Sequence, residues 1–191
     1  MYKNIKTNWI AKNIVIYETI DSTQKEIWRK IESENIENGT LVIAKTQSSG
    51  IGTHGRKWYA NEEGNIIFSF VIKQNVSINK LENITLEIAE IFVEIFKKLY
   101  DISIQIKEPN DLMINNKKIG GILTESKVMK DIAEYIVIGV GINTNEKPKE
   151  EEVIYNSTSI KKEFNIDVDN YKVIMEFCNL FEKNFIERVE K

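Results

Sequence analysis

Apolar and polar side chains alternate along this chain with two different periods, and each period predicts an element. IVIYETI (14–20) is rich in β-branched residues and reads as a strand that breaks at DST (21–23). Asp21, Ser22 or Thr23 can cap a helix over 23–34, with Ile27, Trp28 and Ile31 on one face. ENGT (37–40) is turn chemistry, LVIAKT (41–46) a second strand, and a glycine-rich loop is expected from 47 to about 64. NIIFSFVIK (65–73) is a strand. Over 80–100 the period changes to that of a helix, with Leu81, Ile84, Ile88, Ile91, Ile95 and Leu99 on one stripe.

From residue 102 the texture returns to sheet. ISIQIK (102–107) is a strand, EPND a turn, and DLMI (111–114) a short strand. KIGGILTES (118–126) is its expected hairpin partner, and YIVIGVGIN (135–143) the last strand. An acidic loop (146–152) leads to helical segments, chiefly 170–189. Strands come in runs with helices before and after, so the expected fold is α+β: one domain with a mixed, largely antiparallel sheet flanked by helices. Both prolines, Pro109 and Pro148, are expected in loops.

Composition narrows the function classes. Over 191 residues the net charge is −3, from 26 Lys and Arg against 29 Asp and Glu, so no basic footprint for nucleic acid is present. No apolar run approaches the roughly 20 residues of a membrane span, and no signal-peptide pattern opens the chain, so a cytoplasmic protein is expected. A single cysteine, Cys178, in the helical context MEFCNLF reads as a buried thiol, and with one histidine a zinc site is not expected.

Four clusters could carry chemistry, and each has a structural reading beside a functional one. SSGIGTHGRKW (48–58) holds three glycines and the only histidine. It suits a hairpin, or a nest of main-chain N–H groups for an anion, with Arg56 and Lys57 as counter-charges and Trp58 as a stacking surface. It is not a Walker A loop, and GIGTHG lacks the following helix of a dinucleotide fingerprint. KEPND (107–111) is turn grammar. Equally, Asn110 and Asp111 could meet a magnesium ion or a ribose, and Lys107 a phosphate. KKIGG (117–121) is a hairpin end, or places Lys118 beside backbone bared by Gly120 and Gly121. In IGVGIN (138–143), glycine at every second position leaves one strand face bare, and Asn143 closes it with an amide.

Taken in order, these clusters resemble the catalytic domain of biotin–protein ligases, whose fold is like that of class II aminoacyl-tRNA synthetases. DSTQ (21–24), QSSGIGTHGRKW (47–58), KEPND (107–111), KIGGILTE (118–125) and IGVGIN (138–143) match the family's ordered motifs, and TSI (158–160) matches a further short one. The resemblance covers about residues 14–190. It implies ATP-dependent ligation of biotin, through biotinyl-5′-AMP, to a lysine of a carboxylase's biotin carboxyl carrier domain, with ATP, biotin and Mg²⁺ as ligands. It implies biotin contacts from Ser22, Thr23, Gln47, Gly50, Lys118, Gly120 and Gly121. Nucleotide contacts would come from Gly52, Thr53, His54, Arg56, Trp58, Lys107, Asn110, Asp111 and Asn143. Lys118 and Arg56 would be catalytic, and Asp111 a candidate magnesium ligand.

The chain departs from the family where loop arginines are usual: Ile51 and Thr53 stand there, Glu108 replaces Trp, and Gln24 replaces Asn. His54 restores charge only when protonated. The resemblance further implies a catalytic domain without the repressor-type helix-turn-helix or the small C-terminal β-barrel, and unpaired strand edges leave a homodimer open. Two alternatives stay in play: a lipoate or other acyl ligase of the same superfamily, and a non-catalytic binder of biotin or its adenylate.

Overall fold

The computed structural model describes residues 5–60, 63–146 and 156–190. Its elements run β1 (Ile14–Ile20), α1 (Thr23–Glu32), β2 (Leu41–Ile51), β3 (Lys57–Ala60), β4 (Ile66–Ile72), β5 (Val76–Ser77), α2 (Ile84–Tyr100), β6 (Gln105–Lys107), β7 (Asp111–Ile114), β8 (Lys117–Met129), β9 (Ile132–Ile142), α3 (Ile160–Phe164) and α4 (Asn170–Glu190). The strands form one nine-stranded sheet in the order β1-β2-β4-β9-β8-β7-β6, with β3 on β2 and β5 on β9. Only β1 and β2 are parallel, because α1 carries the chain back to the same end between them; the other pairs are antiparallel. The α+β expectation therefore holds.

Alternation along two central strands decides what each sheet face does. In β4 every residue is buried, and Phe68 and Phe70 face α2 and α4. There Phe92 and Phe177 stack at 4.8 Å and Phe70 meets Phe181 at 5.0 Å. Each such ring stabilises the fold by about 1.5–3 kcal/mol through burial. Ile136, Ile138, Val140 and Ile142 of β9 join the same core. Odd-numbered residues point to the opposite face. Val71 and Val137 are covered there by Ile27 and Ile31 of α1, and Ile67 by Ala44 and Ala60 under the β2–β3 hairpin. Between these two covers lie Ser69, Gly139 and Gly141, met by Thr23 and Gln24 at the start of α1 and by Trp58 of β3.

Local chemistry sets the ends of the elements. Ser22 caps α1, its Oγ accepting from the Lys25 N–H, and Arg29 grips Asp21 with both terminal nitrogens. That guanidinium holds the Asp21 carboxyl down at about 2. Asn115 and Asn116, both at positive φ, make the two-residue turn between β7 and β8. The buried Glu182 carboxylate of α4 accepts the N–H groups of Asn8, Trp9 and Ile10, so the segment before β1 is tied to the core.

Several sequence expectations shift. The loop expected over 47–64 is largely β2 continuing to Ile51, a one-turn 3-10 segment at Thr53–Gly55, and β3. Cross-strand pairing of Gly50 with Trp58 and Ile51 with Lys57 extends the ladder that glycine content had argued against. The strand expected over 102–107 shrinks to Gln105–Lys107, because Ile102 and Ile104 go into the core without pairing. Helix α2 begins at Ile84 behind a separate 3-10 turn, and β8 and β9 form a longer hairpin than expected. Pro148 and most of the acidic loop lie outside the described residues.

Candidate active site

This strip of the second sheet face is the floor of a cleft between α1 and the β2–β3 hairpin. Gly139 and Gly141 of β9 pair with Leu123 and Gly121 of β8, and no side chain rises from three of these four positions. The space matters at both β9 glycines. A Cβ on Gly141 would lie 2.4 Å from Cε2 of Trp58, whose indole rests on that glycine. A Cβ on Gly139 would lie 2.6 Å from Gln24 Oε1. Glycine is required here by close approach, as the bare strand face suggested.

One end of the cleft is neutral, polar and buried. Gln47 Oε1 accepts from Thr23 N at 2.7 Å and from Thr23 Oγ1 at 3.1 Å, and Thr23 Oγ1 lies 2.8 Å from Ser69 Oγ. Ser22, Thr23, Gln24, Gln47 and Ser69 are all at most 5% exposed. Gln24 donates Nε2 to Glu125 at 2.9 Å and to the Val137 carbonyl at 3.2 Å, and Trp28 donates Nε1 to the same Glu125 oxygen at 2.7 Å.

The other end carries charge. Lys118 Nζ arches over Gly121, donates to Asp111 Oδ1 at 2.6 Å and stands 5.8 Å from the Trp58 ring centre. Its main chain is clamped from both sides: Lys118 N donates to Asn156 O and Thr158 N to Lys118 O, each at 2.9 Å. Asn143 is buried, donates Nδ2 to the Thr158 carbonyl at 3.2 Å and accepts from Ile160 N at 3.1 Å. The TSI segment thus locks two site positions into register. Behind it, Glu163 of α3 accepts from Thr158 Oγ1 (2.6 Å), Asn115 Nδ2 (2.8 Å) and Lys117 Nζ (3.0 Å). Those bonds, the Thr158 hydroxyl first, hold its carboxyl at about 2. Asn110 fixes the floor by donating Nδ2 to the Ile122 carbonyl and accepting from Ile122 N.

Of the residues singled out in the sequence, Ser22, Thr23, Gln47, Gly52, Thr53, Arg56, Trp58, Asn110, Lys118, Gly121 and Asn143 line this cleft. Five others do not. His54 is exposed at the hairpin tip, at φ 58°. Lys107 is exposed on the edge strand β6. Gly120 faces the core, where a Cβ would lie 2.9 Å from the Gly141 carbonyl, because strand alternation turns Gly121 and not its neighbour to the cleft. Gly50 sits under the hairpin, against the Trp58 carbonyl and the Gln47 amide. Asp111 reaches the cleft only through Lys118. Ile51 and Thr53, where the resemblance expects arginines, both line it.

Sequence reasoning passed over Ser69, Gln24 and Tyr59 as lining residues. Ser69 had a signal: it is the one polar residue inside an otherwise apolar, fully buried strand. Burial pushes the Cys178 thiol up to about 12, which matches the reading of an inert core cysteine. Among the described residues no group of three His, Cys, Asp or Glu side chains could hold a metal ion. Asp111 is a lone carboxylate at the charged end. That donor set suits a magnesium ion carried in on a triphosphate, keeping waters and taking one carboxylate, and does not suit a resident ion.

Comparison with known proteins follows the same cleft-bearing region. The model of the biotin/lipoate A/B protein ligase family matches residues 16–143. The chain is similar to the bifunctional ligase/repressor BirA of Bacillus subtilis, 31% identical over 183 residues, which is 95% of this chain and 56% of that protein. It is also similar to the biotin–[acetyl-CoA-carboxylase] ligase of Mycobacterium tuberculosis, 28% identical over 144 residues, covering 73% of this chain and 51% of that one. The chain therefore spans about half the length of these relatives. The biotin protein ligase of Aquifex aeolicus, solved in complex with biotin and ATP, superposes with a TM-score of 0.76 at 28% identity over 94% of this chain and 73% of that one.

Proposed function

Since the chain belongs to the biotin/lipoate A/B protein ligase family, we propose that it joins biotin to a lysine of a biotin carboxyl carrier domain, using ATP and passing through biotinyl-5′-AMP. The observation that carries this reading is the division of the cleft into a buried neutral end and a charged end. Biotin has a cyclic urea at one end and a carboxylate at the other. A urea head matches the hydroxyls and amides of Thr23, Gln47, Ser69 and Gln24. The dithiolane ring of lipoate offers this polar end no strong donor or acceptor, whereas a urea offers both, so the neutral end favours biotin over the lipoate alternative.

The chemistry then follows from charge. A biotin carboxylate oxygen attacks the α-phosphorus of ATP, the bond to the bridging oxygen breaks, and pyrophosphate leaves. Two anions must approach, and Lys118 is the ammonium held at the charged end, on a strand fixed through both its N–H and its carbonyl. A magnesium ion arriving on the triphosphate would supply further neutralisation, and Asp111, the carboxylate paired with Lys118, would be its protein ligand. In the second step the neutral amine of the carrier lysine attacks the acyl carbon, AMP departs, and the amine gives up a proton. Thr53, Arg56 and Trp58 of the hairpin would cover the mixed anhydride and keep water from it.

The test is transfer itself: protein, ATP, Mg²⁺, biotin and a carboxylase carrier domain are incubated, and the carrier is weighed by mass spectrometry. A biotinyl-sized gain dependent on ATP is expected. Tight biotin binding with no gain would favour a non-catalytic binder, a reading motivated by Ile51 and Thr53 lining the cleft without charge.

A further inference from the structure

Lys118 reaches the cleft because its strand breaks alternation. Between β7 and β8 the pairing runs Asp111 with Gly121 and Leu112 with Gly120, then steps to Met113 with Lys118, so Ile119 has no partner. This is a β-bulge, and it turns two consecutive residues to one face. Ile119 is fully buried, and a Cβ on Gly120 would meet Ile142 and Leu112, so both face the core. Lys118 thereby returns to the cleft face, three residues before Gly121, over which its Nζ lies. A regular ladder would instead set Ile119 opposite Met113, in the cleft, and Lys118 opposite Ile114, on the core side. The ammonium at the charged end depends on one unpaired residue.

Burial of Ile119 favours this register, and a carboxylate outside the cleft enforces it. Lys117, opposite Ile114, turns away from the cleft and donates Nζ to Glu163 Oε1 at 3.0 Å. The same oxygen accepts from Thr158 Oγ1 at 2.6 Å, and Oε2 accepts from Asn115 Nδ2 of the β7–β8 turn at 2.8 Å. One carboxylate thus joins the turn, the residue before Lys118, and the segment that clamps the Lys118 main chain. In the regular ladder Lys118 would take the place of Lys117 beside it. Resting on the reading of Lys118 as the ammonium of the adenylation step, we infer that Glu163 is a positioning residue for that step: by holding Lys117 and Thr158 it keeps the bulge, so that Lys118 and not Ile119 faces the cleft. Neither Glu163 nor Lys117 lines the cleft, so the two act on the reaction through Lys118 alone.

The test measures biotin-dependent ATP–pyrophosphate exchange by the full chain. Glu163→Ala should lose about tenfold in kcat, the size of one lost bond to a charged group, with KM for biotin and ATP within about twofold. Because Ile119 still favours the bulge, this loss is smaller than that of removing Lys118 itself. Glu163→Gln keeps an acceptor for Thr158 and should recover part of the rate. Lys117→Met, which removes the ion pair from its half-exposed end, should lose a few-fold in kcat although it lies off the cleft. It also serves if Glu163→Ala does not fold. Lower melting temperatures with unchanged kcat in all folded variants would overturn the assignment and leave Glu163 a structural residue. A crystal structure of Glu163→Ala, or of Lys117→Met in its place, reads the register without turnover. Ile119 turned to the cleft, or Lys118 Nζ beyond about 4 Å from Asp111, supports the assignment, and an unmoved Lys118 refutes it. Absence of exchange in wild type would remove the functional reading, whereas the crystal comparison would still show whether Glu163 holds the bulge.

Discussion

The two ends of the cleft are built on opposite plans. At the neutral end Thr23, Gln47 and Ser69 are buried and bonded to one another before any ligand arrives. At the charged end Arg56 is exposed on a hairpin and Lys118 is half-buried, held by one carboxylate. A neutral head can be told from others only by hydrogen bonds whose net worth is small, so its donors and acceptors must be pre-placed. A charge acts over distance, and in the proposed reaction its end of the cleft must let a triphosphate enter and pyrophosphate leave. Rigidity therefore sits where discrimination is needed, and openness where charge must come and go.

The strongest way to break this division is at Lys118. Lys118→Ala should lower ATP–pyrophosphate exchange by roughly 10²–10³-fold, as for other removed transition-state charges, while biotin binding falls far less. Exchange within a few-fold of wild type would mean that the chemistry is not at that end.

The paired glycines test the ends against each other. Gly139→Ala drives a Cβ to 2.6 Å from Gln24 Oε1 and 3.2 Å from Ser69 Oγ, in a frame with no slack. Overpacking of about 1–3 kcal/mol should appear as a lower melting temperature and roughly tenfold or more loss of biotin affinity. Gly141→Ala meets the Trp58 indole at 2.4 Å, on the β2–β3 hairpin and away from the α1 side. Its expected cost falls on adenylate retention, followed by release of free biotinyl-AMP, with a smaller change in melting. Equal melting shifts for the two variants would show the hairpin to be as rigid as the α1 side.

How much of this was legible in sequence follows the same divide. Strand alternation exposed the two faces of β9, because glycine at 139 and 141 interrupts an otherwise apolar strand. The ordered motifs located Lys118, Trp58 and Thr23 for the same reason: short segments with turn or glycine chemistry keep their identity in one dimension. What stayed hidden depends on pairing between distant segments. Nothing local to Gln24 says that its amide spans 101 positions to Glu125. Nothing in TSI says that its backbone clamps Lys118. His54 and Lys107 lie off the cleft lining for the converse reason, since charge and loop position do not tell which way a tip or an edge strand faces.

A smaller perturbation addresses one bond at the neutral end. Thr23→Val removes the hydroxyl that reaches Gln47 and Ser69 and keeps the shape. Biotin affinity should drop about tenfold with ATP affinity unchanged. At the charged end, Thr53→Arg adds a cation to the cleft lining and should slow release of free adenylate by a few-fold, the worth of one partly exposed ion pair. An unchanged release rate would place the limit on retention elsewhere than in the missing charge.

The subtlest difference is in acid. Each end leans on one carboxylate, Glu125 behind Gln24 and Glu163 behind Lys118, and of the two it is Glu163 whose carboxyl is strongly lowered. Thr158, Asn115 and Lys117 lower its carboxyl to about 2 from an ordinary 4.5. A depressed carboxyl stabilises the fold fully above the unfolded value, and that contribution fades as pH falls from about 4.5 toward about 2. Glu163→Gln should accordingly melt below wild type at pH 7, with the gap closing as the pH is lowered through that window. Asp21, also held at about 2, fades over the same range, but its bond to Arg29 is solvent-exposed and salt should weaken it. Thermal melting of Glu163→Gln and Asp21→Asn with and without added salt separates the two: a gap for Glu163→Gln that persists in salt at neutral pH identifies the brace behind Lys118, and a gap that salt erases assigns Glu163 to the surface.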